Sequence, residues 1–235
     1  MNIVCHKSWS PGQDGNPLPC VVHALVIQIS DHQSYAKSML EKINENNWIN
    51  HLNPVAKVTY KKRVERTAEG LARNFAKQAN NSQVQAEFGE YMISMSTVES
   101  LVAELDHKGI PLSELWKEKL SGNPGFDFHT ETPCNYVAFG EAKYRSTGNA
   151  YQMAGESVVR FIGDQKDFGD AEALRNFVTS AAMSNLVDDE TRSFTLAFSI
   201  SSNNCELIFQ NAMKNKHVKA VAKCAKHLFL VGVKS

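Results

Sequence analysis

Residues 125–144 read Gly-Phe-Asp-Phe-His-Thr-Glu-Thr-Pro-Cys-Asn-Tyr-Val-Ala-Phe-Gly-Glu-Ala-Lys-Tyr, and the fold turns on how this stretch is arranged. Two apolar runs, 126–131 and 136–144, flank a polar loop containing Pro133, which predicts two neighbouring strands. Period-two alternation places Val137, Phe139, Glu141 and Lys143 on one face of the second strand, with Tyr136, Ala138, Gly140, Ala142 and Tyr144 on the other. In the first strand Phe126 and Phe128 are expected on one face, and Asp127, His129 and Glu131 on the opposite one. Side-by-side pairing then brings Asp127 towards Glu141 and Lys143. Clustered carboxylates are costly unless a cation lies between them, so the pattern points to Mg²⁺ or Mn²⁺ held by Asp127 and Glu141. Such an ion activates water and stabilises charge on a phosphate oxygen, while Lys143 on the same face can orient that water. The chemistry is that of phosphodiester hydrolysis.

The acid-x-Lys form is weak by itself and recurs at Asp106-His107-Lys108 and Asp164-Gln165-Lys166. Those two lie beside helix ends or turn-like glycines; only Glu141-Ala142-Lys143 closes an apolar strand. Working outward, β-branched residues predict a strand over 21–29, and a short helix follows over 33–46. Residues 55–60 alternate weakly as a strand, ahead of a charged helix over 62–79. Val84, Phe88, Tyr91, Met95, Val98, Leu101, Val102 and Leu105 recur at spacings of three and four, predicting a core-facing helix. A helix over 111–120, a turn over 122–125, helices over 150–162 and 170–186, a strand over 194–201, a helix over 205–226 and a strand over 228–233 complete the reading. The fold class is α/β, a mixed central sheet flanked by helices. Residues 1–80 read as an N-terminal α/β extension or partner-docking region, and 81–235 as the domain carrying the acids.

The 235 residues, 43% of them hydrophobic, suffice for a buried core, and 25 basic residues balance 25 acidic ones. No global field draws the chain to nucleic acid, so any such contact must be local. Lys216, Lys219, Lys223 and Lys226 recur at helical spacing as one basic stripe, and Lys57, Lys61, Lys62, Arg63 and Arg66 form a second cluster. Either suits phosphates, although solvated helix faces produce the same pattern. Five scattered cysteines, the absence of a signal-like start and of any membrane-length apolar run predict a soluble cytoplasmic protein. Cys5, His6, Cys20 and His23 contain a Cys-x-x-His step, but the adjacent Cys5-His6 pair closes a zinc tetrahedron awkwardly.

The order of a helix bearing Glu, then Asp on a strand, then Glu-x-Lys on the next resembles the PD-(D/E)XK nuclease superfamily, over about residues 83–160. The thirteen residues between Asp127 and Glu141 lie within that superfamily's usual range. More narrowly, Ala86-Glu87-Phe88-Gly89-Glu90, residues 110–116, Gly122-Asn123-Pro124-Gly125-Phe126-Asp127-Phe128-His129 and Phe139-Gly140-Glu141-Ala142-Lys143-Tyr144 resemble the HamA nuclease subunits of Hachiman anti-phage systems. The resemblance implies a restriction-endonuclease-like core, DNA as substrate and a helicase partner of the HamB type. It also implies a Glu on the first core helix as a further metal-shell or structural carboxylate. Glu87 lies closer to the apolar stripe, whereas the family's Gly-Glu pair falls on Gly89-Glu90, which favours Glu90. Gln152 occupies a position where some relatives carry a Gln, and His129 is an accessory candidate whose plainer reading is a hydrogen-bonded structural histidine. Gly and Phe, rather than Pro, precede Asp127. From another class, the alternative is a non-catalytic docking or regulatory subunit of a helicase complex.

Overall fold

The computed structural model describes residues 1–81, 83–117, 125–148 and 150–235. Among these, the strands are β1 (Asn2–Trp9), β2 (Val21–Gln28), β3 (Lys108–Gly109), β4 (Phe128–Glu131), β5 (Val137–Lys143), β6 (Ser193–Ser199) and β7 (His227–Lys234). They form a mixed seven-stranded sheet in the order β1-β2-β7-β6-β5-β4-β3. β2, β7, β6 and β5 run parallel in the centre, β1 pairs antiparallel with β2 on one side, and on the other β4 pairs antiparallel with β5 and β3 antiparallel with β4. The central strands are buried along almost their whole length, as expected of parallel strands covered on both faces.

The helices are α1 (His32–Asn44), α2 (Pro54–Ala79), α3 (Ala86–Leu105), α4 (Ser113–Trp116), α5 (Tyr151–Gly163), α6 (Lys166–Gly169), α7 (Ala171–Leu174), α8 (Ser180–Val187), α9 (Cys205–Lys214) and α10 (Lys216–Ala222). α5 covers one face at β5 and β6, where Phe126, Phe139, Phe161 and Phe194 form an aromatic cluster. α3 packs on β5 and β6 with Ser94, Ser96, Thr97 and Ser100 all buried, small side chains that let helix and sheet approach closely. None of these helices is long and apolar enough to cross a membrane.

Several sequence expectations need correction. Residues 55–60 are helical, not a strand: the Asn53 side chain accepts from Ala56 N and Pro54 occupies the first turn, so α2 starts there despite its β-branched residues. Ala56, Tyr60, Val64, Ala68, Leu71 and Phe75 then form its buried stripe. The helix expected over 170–186 is broken, because Thr179 caps a fresh start at α8 while its backbone N–H is bound by Glu131. The helix expected over 205–226 breaks at Asn215, whose side chain accepts from His217 and Val218 N–H. Lys216 and Lys219 thus lie on α10, Lys223 is its C-cap and Lys226 falls in the connection to β7, so the four lysines, all exposed, are not one helical stripe. The helix expected over 111–120 is reduced to α4; residues 118–120 and the turn at 122–124 lie outside the described residues. The sequence predicts no strand at β1 or β3, although β1 alternates in exposure over its first residues. Phe126 does not share the face of Phe128. Its ring packs on Phe139 and His129, because regular pairing of β4 starts only at Phe128.

Candidate active site

The acids are assembled by the antiparallel register of β4 and β5. Phe128 pairs with Gly140 and His129 with Phe139, and Asp127 N donates to Gly140 O at 2.9 Å, which extends the pairing by one residue. Asp127 therefore stands opposite Glu141, and residues opposite one another in an antiparallel pair share a face. Asp127 Oδ2 accepts from Ala142 N at 2.8 Å, so its carboxylate is clamped to the β5 backbone beside Glu141. Gly140 makes this register possible. A Cβ there would lie 2.2 Å from Phe128 Cε2, in the middle of a fully buried ring.

Lys143 Nζ lies 2.8 Å from Glu141 Oε1 and 3.4 Å from Glu90 Oε1. Glu90 reaches it from the first turns of α3, next to Gly89, where a Cβ would sit 2.3 Å from the Tyr144 ring. Glycine at 89 lets α3 close onto the end of β5. Of the two helix candidates, Glu90 joins the cluster and Glu87 is exposed, with its charge felt by Tyr91. The Glu141 side chain is 3% exposed, Lys143 18% and Glu90 41%, so the centre opens to solvent past Glu90.

The charges in this cluster are mutually perturbed. Burial, then the charge of Asp127, holds the Glu141 carboxyl well above the usual carboxylate range. Burial also raises Asp127, although Lys143 and the Ala142 N–H pull it back. Burial raises Glu90 against the opposing pull of Lys143. Burial acts to lower Lys143, but Glu141 and Asp127 outweigh it and the ammonium is held above its ordinary value. Glu141 Oε2 is buried and faces no donor. With a second carboxyl beside it, that oxygen is open to a proton, a cation or a water donor.

This donor set fits a hard divalent ion. Mg²⁺ is bound through one or two carboxylates and completes its shell with water and phosphate oxygens, so Asp127 and Glu141 are the residues that could hold it. Among the described residues no group of three His, Cys, Asp or Glu side chains is placed to hold a metal ion.

The accessory candidates separate. His129 is fully buried, with Nδ1 3.1 Å from Ser113 Oγ and Nε2 3.2 Å from Asp170 Oδ2. Burial and the nearby Lys117 lower it to about 4. It is a neutral structural histidine turned away from the acids. Glu131, the next ionisable residue along β4, accepts from Thr179 N and Oγ1 and anchors the start of α8. Gln152 is exposed in the first turn of α5. Sequence reasoning missed Lys117, whose Nζ lies 3.1 Å from Phe126 O and 2.5 Å from Asp170 Oδ2, and whose charge also lowers Asp127. Asp170 is 53 residues away, so no local pattern announced the pair. No protein-family model, curated protein or solved structure matches the chain.

Proposed function

We propose that the protein is a metal-dependent nuclease that hydrolyses DNA phosphodiester bonds. The observation that carries this reading is the Asp127–Glu141 carboxyl pair, buried beside the Lys143 ammonium with one carboxylate oxygen facing no donor. Element order supports it. With α4 inserted between β3 and β4 and α6, α7 and α8 between α5 and β6, the run from α3 to β6 holds a helix, an antiparallel three-strand meander, a crossover that contains α5 and a strand parallel to the third, in keeping with a restriction-endonuclease-like core.

Asp127 and Glu141 would hold Mg²⁺ or Mn²⁺, with Glu90 close by to orient bound water. The ion, when bound, supplies Lewis-acid stabilisation of phosphate charge and makes water more acidic. A cation competes with a proton for the raised Glu141 carboxyl, so metal affinity rises with pH. Lys143 is protonated throughout, so it serves as a donor to the attacking water and to the charge developing on phosphorus. The β5 backbone clamps Asp127, so the centre is pre-organised on rigid strands. The resemblance to HamA subunits adds the proposal of an anti-phage effector working in the cytoplasm beside a HamB-like helicase.

The test is plasmid and linear DNA incubated with Mg²⁺, Mn²⁺ or EDTA, with and without a HamB-type helicase. Asp127→Asn, Glu141→Gln and Lys143→Met are each expected to lower the cleavage rate by about 10²-fold or more. Cleavage that survives these substitutions, or that EDTA leaves untouched, rejects the assignment. A protein that binds the helicase and cuts nothing favours the docking-subunit reading.

A further inference from the structure

α2 carries seven of the 25 basic residues and two of the 25 acidic ones, in a chain whose formal net charge is 0. Setting aside Arg63, which donates to Trp116 O, six cations remain against Glu65 and Glu69. Helix phase sorts them. At about 100° per residue, Lys62, Arg66, Arg73 and Lys77 fall within about 60° of one another, opposite the buried stripe of Ala56, Tyr60, Val64, Ala68, Leu71 and Phe75. All four are exposed, and among the described residues none forms an ion pair with a carboxylate. Lys57 and Lys61 stand on the flank of the helix, beside Ile49 and Asn50.

Helix stability does not account for this row. Lys62 with Arg66 and Arg73 with Lys77 are like-charge pairs at i,i+4, a spacing that weakens an isolated helix, and solvated faces usually relieve it by alternating signs. Here only Glu69 stands between the two pairs. The row extends about 22 Å along the helix, at a rise of about 1.5 Å per residue. No large apolar side chain interleaves with it from Lys62 to Lys77, so it lacks the apolar face with which a helix enters a membrane surface. Arg66 and Arg73 offer planar forks that match phosphate oxygens. We infer that this face of α2 holds the sugar-phosphate backbone of duplex DNA through Lys62, Arg66, Arg73 and Lys77. The polyanion surface follows from charge and helix phase; its assignment to DNA rests on the nuclease reading. It displaces the α10 lysines, which do not form one row, as the main phosphate-binding surface.

The experiment is fluorescence anisotropy of a fluorescein-labelled DNA duplex of about 30 base pairs titrated with the full chain in EDTA, across a salt series. Arg66→Gln with Arg73→Gln is expected to weaken binding by about 10-fold at moderate salt, and to flatten the slope of log K against log salt by about 1.8 for two lost phosphate contacts. Lys62→Gln with Lys77→Gln, at the two ends of the row, is expected to do the same. Lys57→Gln with Lys61→Gln removes equal charge from the flank of the same helix and is expected to bind within about threefold of the unmodified protein, with its slope unchanged. All six positions are exposed, so the urea midpoints of these variants are expected to match that of the unmodified protein. Unchanged binding by both row variants overturns the inference, as does an equal loss in the flank variant. Absence of duplex binding by the unmodified protein overturns it too, and binding to phosphatidylserine vesicles in its place would assign the row to a membrane. Row-dependent binding without cleavage in any metal keeps the DNA surface and removes the nuclease reading. Metal-dependent cleavage that the row variants leave at the unmodified KM removes the surface and keeps the nuclease.

Discussion

Replacing Lys143 by Met keeps the stem of the side chain and removes its charge. The ammonium lies 2.8 Å from Glu141 Oε1, with 18% and 3% of the two side chains exposed. Removing one member of a buried pair costs about 3–5 kcal/mol when the remaining charge must stay ionised. Glu141 has an escape, because burial and Asp127 already hold its carboxyl well above 4.5 and loss of Lys143 raises it further. A carboxyl raised in the folded state contributes stability that is fully present below its unfolded pKa and is lost as pH rises through the folded one. At pH 5 the variant keeps Glu141 neutral, and the expected loss is about 1 kcal/mol or less. At pH 8 the proton is harder to hold, and the loss grows to about 3 kcal/mol. Urea denaturation of both proteins at the two pH values measures the gap. Millimolar Mg²⁺ is expected to narrow it at pH 8, since a bound cation replaces the missing charge. A gap of equal size at pH 5 and pH 8, indifferent to Mg²⁺, would refute the account of the cluster as a buried acid pair held by a cation.

Gly140→Ala places a methyl group 2.2 Å from a fully buried Phe128 ring; a loss of about 1–3 kcal/mol is expected, with cleavage falling because the Phe128–Gly140 pair sets the register that positions Asp127. An unchanged urea midpoint would show that the strand register tolerates a side chain there. His129, lowered to about 4 first by burial and then by Lys117, contributes stability present above pH 6.5 and lost as pH falls towards 4. His129→Gln should remove about 3 kcal/mol of that pH dependence, read from urea midpoints between pH 7 and 4; a variant with the same acid slope as the unmodified chain contradicts this. Glu90→Gln should weaken the Mg²⁺ dependence of cleavage by about 10-fold while Glu87→Gln leaves it unchanged, and equal effects would remove Glu90 from the centre.

The sequence by itself determined the parts of the fold that rest on local chemistry. The helix of α3, the β-branched run of β2 and the strand of β5 survive into the structure. Of the expected α3 stripe, however, only Phe88, Met95 and Leu101 are buried and Val102 is exposed, because Met92, Ile93, Ser94, Ser96, Thr97 and Ser100 take the buried positions instead. Alternation in the strands brought out Asp127, Glu141 and Lys143, because ionisable residues among Phe and Val on a strand must find one another or a ligand. Where local signals competed, the pattern misled. Val55, Val58 and Thr59 favour a strand, yet the Asn53-Pro54 cap and the buried stripe behind it made α2. Asn215 and Thr179 look like ordinary polar residues until their side chains are seen capping new helices.

Only the tertiary structure decided between Glu87 and Glu90, since the helix offers both and the close approach of Gly89 to Tyr144 selects one. It likewise turned His129 towards Ser113 and Asp170, placed Lys117 beneath Phe126 and joined β2 to β7 at the far ends of the chain. These contacts join residues far apart in sequence, so they depend on how the sheet and helices pack and leave no period for a reader of the chain to find.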